Sequence, residues 1–173
     1  PDTGKARIYA VVCAEASQTA PRHLRNRIRC FLPPRRLRFG MENNMFSYKE
    51  YKEIIQIIKE SGRGANFKQA QGRERFIIMR HDVEFSVDRA FALSKLELSM
   101  DFTSTYFFQW TNNSYNILSK RNMDMIKYMH ERGHEIGLHF ALNGLTDMEL
   151  IRKKILLEIN VLSEMLGFEI TQF

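Results

Sequence analysis

From Ser47 onward, segments patterned as helices alternate with segments patterned as strands, and this alternation constrains the fold more than any other feature of the chain. Ser47-Tyr48-Lys49-Glu50 has the form of a capping box, in which the serine hydroxyl accepts from the Glu50 amide while the Glu50 side chain reaches back. Phe46 and Tyr51 stand at the positions of a hydrophobic staple. Tyr51, Ile54, Ile55 and Ile58 share one apolar face, and Gly62 supplies a stop, so the spacing predicts a helix over 47–61. Residues 63–74 read as loop. "RFIIMR" reads as a buried strand over 75–80 with polar residues at its C-terminal end. Ser86 then caps a helix along Val87, Ala90, Phe91, Ser94 and Leu98. "FTSTYFFQW" (102–110) is β-branched and aromatic and predicts a second strand. A loop over 112–119 leads to a helix over 120–132, stopped by Gly133, and "HEIGLHF" (134–140) predicts a third strand. Thr146-Asp147-Met148-Glu149 is a second capping-box pattern. It opens a helix along Met148, Ile151, Ile155, Ile159, Leu162 and Leu166 that Gly167 ends, and "EITQF" begins a fourth strand. Alternation at these intervals predicts an α/β fold with a parallel sheet and right-handed crossovers. The last strand has no helix after it, so the sequence reads as cut.

Charge divides the chain in two. Residues 1–40 hold nine Lys/Arg against Asp2 and Glu15, so the net +6 of the whole chain is carried there and residues 41–173 are close to neutral. All four prolines (Pro1, Pro21, Pro33, Pro34) and both cysteines (Cys13, Cys30) fall in the same stretch. Residues 1–40 are therefore expected to be an Arg/Pro-rich extension, disordered or foreign to the domain, joined upstream of a start at Met41 or Met45. Two other readings stay open: an arm that neutralises nucleic-acid or lipid phosphates, and an organellar transit peptide. Two cysteines make no disulfide framework. No apolar run approaches the roughly 18 residues of a membrane span, and the body reads as soluble and cytoplasmic.

In parallel βα folds, chemistry collects at the C-terminal ends of strands. The first such end carries Asp82 and Glu84, the second Gln109 and Trp110, and the third His139. Side chains two apart share a face, so Asp82 and Glu84 project to one side, with His81 and Val83 on the other. Two carboxylates and an imidazole at neighbouring strand ends can hold a metal and leave an acid over as general base. An acid pair of this kind also occurs merely solvated at a loop start, or paired with Arg80, and a single histidine such as His139 can be a half-buried, satisfied one. His134 lies about 16 Å from His139 along an extended strand and on the opposite face, so the two cannot share an ion; His134 is expected to be structural. Trp110 and the run "TYFFQW" read as core more than as a sugar platform, and the nine methionines read as core filler.

"FIIMRHDVEFSVDRA", "STYFF" and "GHEIGLHF", in that order, resemble the NodB-type polysaccharide deacetylases, carbohydrate esterase family 4. The likeness is to a bacterial branch with an Arg-His-Asp-Val-Asp first motif, and it spans roughly residues 45–173. The resemblance implies a distorted (β/α) barrel, of which about half would be present. It also implies hydrolysis of the acetamide of an N-acetylated carbohydrate at a divalent metal, with zinc the leading candidate. Within it, Asp82 would be the general base, and Glu84 and His139 would be metal ligands. The ion would polarise the acetyl carbonyl and acidify a bound water, and Asp82 would take the water's proton. Glu84 stands where the family has Asp, and Asn143 where the fuller motif has a second histidine; later motifs would lie past Phe173. The chain is therefore expected to be an inactive portion of a deacetylase. The alternatives are a non-catalytic carbohydrate-binding or structural derivative of the same barrel, or an arm-borne nucleic-acid tether.

Overall fold

The computed structural model describes residues 10–15, by their backbone, and residues 47–173. The remainder of the Arg/Pro-rich stretch, Met41, Met45 and the Phe46 half of the staple lie outside the described residues. The elements are β1 (Ala10–Glu15), α1 (Tyr48–Ser61), β2 (Gly64–Ala65), α2 (Phe67–Ala70), β3 (Arg75–Val83), α3 (Val87–Ser99), β4 (Thr105–Phe108), α4 (Lys120–Glu131), β5 (Glu135–Leu138) and α5 (Met148–Leu166). Strands β2, β3, β4 and β5 are parallel and form a curled, half-barrel sheet flanked by helices, so the chain is α/β as the alternation predicts. β1 pairs antiparallel with β3.

Helix α1 follows its sequence signals. Ser47 N–H donates to Glu50 Oε2 at 2.8 Å, Ser47 Oγ accepts from Glu50 N–H at 3.3 Å, and Gly62 closes the helix at φ 65°, a conformation that costs a residue with a Cβ. The stretch read as loop over 63–74 holds β2 and the single turn α2. Asn66 and Gln69 form their own capping box there, over too few residues for any period to show. β3 runs three residues beyond the predicted end because Arg80–Val83 pair in register with Thr105–Phe108. β4 is shorter than 102–110. Phe102 N–H is taken by Glu97 O at the end of α3, and Gln109 N–H by the Tyr115 hydroxyl, so both leave the ladder. β5 likewise begins after His134, whose N–H bonds Met129 O. The cap of α5 is Asp147 and not Thr146: the Asp147 carboxylate accepts from Glu149 N–H at 2.9 Å and Leu150 N–H at 3.3 Å. A carboxylate outcompetes a hydroxyl at a helix N-terminus through its charge. The predicted fourth strand does not form; residues 169–173 lie beside β5, where Leu138 N–H reaches Gln172 O at 2.9 Å.

Alternation along the strands separates two faces. On the helix-covered face, Tyr106, Phe108, Ile136 and Leu138 pack with Val87, Ala90, Met125, Ile126, Met129, Leu162 and Leu166. "TYFF" is thus core. The other face carries Arg80, Asp82, Thr105, Phe107, Glu135 and Gly137, closed at the strand starts by α2. There the Phe67 ring meets Phe107 edge-on at 5.7 Å, and the Glu135 carboxylate accepts Phe67 N–H at 2.8 Å and Thr105 Oγ1–H at 2.9 Å. A Cβ at position 137 would fall 2.5 Å from the Phe107 ring, so any residue larger than glycine there forces that ring to shift.

Candidate functional site

The strand ends named by the sequence lie on one edge of the parallel sheet. Asp82, the penultimate residue of β3, has a side chain only 18 % exposed, and its Oδ1 accepts from Arg80 Nε–H at 2.8 Å. The Arg80 guanidinium lies 3.8 Å above the centre of the Phe107 ring, so the cation that grips Asp82 is itself held by an aromatic face. His81 and Val83 are buried while Asp82 and Glu84 are half-exposed, as the alternation argument requires. Glu84 lies just past β3. Its backbone carbonyl accepts from Asn112 Nδ2–H at 2.9 Å, and the Val83 carbonyl from the Tyr115 hydroxyl at 2.7 Å. The 109–115 loop therefore staples the β3 exit. Burial pushes the Tyr115 phenol up, the Gln109 contact opposes this, and the nearby Glu84 charge adds to it, so Tyr115 stays a donor.

His139 follows β5 directly. Its N–H donates to Phe108 O at 2.8 Å, which keeps it tied to β4, and its ring Nδ1 is buried with no hydrogen-bond partner. Among the described residues His81 Nδ1 is likewise buried without a partner, but it lies on the helix-covered side of the sheet, so it is the orphaned nitrogen together with the place at the strand end that makes His139 a candidate ligand. Asn143, four residues on, sits in a left-handed conformation at φ 47°. The structure brings Asp82 and Arg80 together. It does not gather Asp82, Glu84 and His139 into an ion-holding group, and no three His, Cys, Asp or Glu side chains among the described residues are so placed. The described residues alone therefore do not fit a catalytic zinc, which takes three protein ligands. A small open pocket at this edge is lined by His81, Asp82, Glu84, Ser86 and Arg89 among others.

Behind β3 lies a cluster that the sequence reading did not identify. Glu97, on α3, is fully buried. Its Oε1 accepts from Tyr51 O–H on α1 and lies 2.8 Å from His81 Nε2; its Oε2 accepts from Ser104 Oγ–H and Tyr106 O–H, both at 2.7 Å. An ionised carboxylate only accepts, so the proton on His81 Nε2 points at Glu97. Burial pushes the Glu97 carboxyl up, but the hydrogen bond and charge of His81, with Tyr51 and Ser104, outweigh it and leave the group below its ordinary value. Burial, reinforced by the Glu97 charge, drives the Tyr51 and Tyr106 phenols well up, so both remain donors. His134 is structural as expected. Its Nδ1 accepts Ser104 N–H at 3.2 Å, its Nε2 lies 3.3 Å from Ser94 O, and burial holds its pKa below the usual histidine value despite the Glu97 charge. The available signal was Glu97 itself, a charged residue four beyond Leu93 and seven beyond Ala90 on the buried stripe of α3.

No helix among the described residues is long and apolar enough to cross a membrane. No known family, curated protein or solved structure matches the chain.

Proposed function

We propose that this half-barrel is part of a NodB-type, metal-dependent deacetylase acting on N-acetylated carbohydrate, with Asp82 as the base and Glu84 and His139 as ligands of a divalent ion, zinc foremost. The observation that carries the reading is the His139 imidazole. It stands at the C-terminal end of a parallel strand, in the place the resemblance assigns to a ligand, and its buried Nδ1 has no hydrogen-bond partner among the described residues. Asp82 fits the role of base. The Arg80 guanidinium fixes the orientation of its carboxylate, which would take a proton from a water attacking an acetamide carbonyl. Because the described residues do not gather three ligands, the chain by itself is proposed to be inactive. A second reading, a carbohydrate-binding or structural derivative of the same barrel, is favoured by that same ungathered set and by Glu84 and Asn143 standing in place of family ligands. Calorimetric titration of Zn²⁺ into the protein separates the two. Saturable heat that disappears in His139→Ala supports the deacetylase reading, and an absence of heat in the unaltered protein supports the derivative.

A further inference from the structure

Helix α5 has two apolar faces. One is buried through Ile151, Leu162 and Leu166, the last two packed in the core with Tyr106, Phe108, Ile136 and Leu138. The other points to solvent. Leu157 is 62 % exposed, Leu150 40 % and Met165 42 %, and Val161 is half-buried beside them. At 100° per residue, Leu150 lies about 20° from Leu157 around the helix, Val161 about 40° and Met165 about 80°, an arc that also carries Lys154 at about 60° and is offset from the buried residues. Five of the eleven exposed large hydrophobic residues among the described ones lie on this helix. A surface helix ordinarily keeps that face polar.

The charges on α5 are arranged along its length. Its N-terminal half carries Arg152, Lys153 and Lys154 against Glu149, while its C-terminal half carries Glu158 and Glu164 and no cation. Beyond Glu149 in the first turn, this is the reverse of what the helix dipole favours, which is acid toward the start and base toward the end. The order is complementary to itself when the helix is turned end for end. A second α5 laid antiparallel about a two-fold axis near Leu157 places Leu150 opposite Met165 and brings Lys154 within a turn of Glu164 of the other copy. Closed two-fold pairing needs one self-complementary patch, and this is one.

We propose that the outward stripe of α5 is a homodimer interface, occupied by α5 of a second copy of this chain in antiparallel register. The test is analytical ultracentrifugation of the full chain over a wide concentration range. The unaltered protein should approach twice its 20.4 kDa mass at high concentration. Leu157→Glu should stay monomeric with an unchanged circular dichroism spectrum and melting temperature, since Leu157 makes no core contact. Lys154→Glu should weaken association at least tenfold, and adding Glu164→Lys to it should restore the original affinity. An unaltered protein that is monomeric throughout would overturn the proposal and assign the stripe to a different partner. A dimer indifferent to Leu157→Glu, or a double charge swap that fails to rescue, would overturn it equally.

Discussion

Glu97 Oε1 lies 2.8 Å from His81 Nε2 in the core, and the residue after His81 on β3 is Asp82, which faces the opposite side of the sheet. In register, His81 stands beside Tyr106 and Asp82 beside Phe107. The buried carboxylate thus fixes, from behind, the two strands whose front faces hold Asp82 and the Arg80–Phe107 stack. Both Glu97 oxygens are satisfied, while His81 Nδ1 is buried without a partner among the described residues, and a buried polar network rigidifies a core only as far as its members are paired.

Replacing Glu97 by alanine leaves His81, Tyr51, Ser104 and Tyr106 buried without their acceptor. The expected loss is about 3–5 kcal/mol, the cost of breaking a buried charged pair from one side. Urea denaturation measures it. A loss below about 1 kcal/mol would show that water or rearranged hydroxyls replace the carboxylate.

The pH dependence follows from two groups. Glu97 is held below its ordinary 4.5 in the fold, so its contribution is present above that value and is lost as pH falls through the folded pKa. Glu97→Gln should therefore lose less stability than the unaltered protein between pH 5 and 3, by comparison of urea midpoints. His134 is held below its ordinary 6.5, so the unfolded chain takes up its proton first and stability declines as pH drops below 6.5. His134→Gln should flatten that upper part of the curve alone.

Gly137→Ala drives a methyl group into the Phe107 ring and is expected to cost about 1–3 kcal/mol. Phe107→Leu should recover part of it. A double-mutant cycle reads the coupling directly, and additive losses would mean the strain is relieved elsewhere.

Asp147→Ala removes the cap of α5 and should lower stability by about 1 kcal/mol, whereas Thr146→Ala should stay within about 0.5 kcal/mol of the unaltered protein. The reverse order would restore the capping box that the sequence pattern suggests.

Where structure depends on local signals, the sequence was sufficient to read it. The Ser47 box, the Ser86 cap and the glycine stops at 62 and 167 all act within one turn, and the helices they bound stand within a residue or two of prediction. Strand ends were legible only in part, because they are set by partners far along the chain. β3 lengthens to pair with β4, and β4 shortens because Glu97 O and the Tyr115 hydroxyl take its flanking amides. At the site, period-two alternation was enough to send His81 inward and Asp82 outward. Partner choice was legible only in part. The pairing of Asp82 with Arg80, two residues away on the same face, was one of the readings the sequence left open, whereas the meeting of His81 with Glu97 depends on the seating of α3. Glu97 could have been flagged as a charge on a buried stripe, but its five contacts come from three elements, α1, β3 and β4, and two linkers.

The proposal that His139 and Glu84 hold one ion is tested most directly by imidazole nitrogen NMR under zinc titration. The account predicts that the His139 Nδ1 resonance shifts and saturates as Zn²⁺ is added, that His81 and His134 stay still in the core, and that Glu84→Ala abolishes the His139 response. A His139 resonance that moves no more than those of His81 and His134, or one that responds identically in Glu84→Ala, would contradict it.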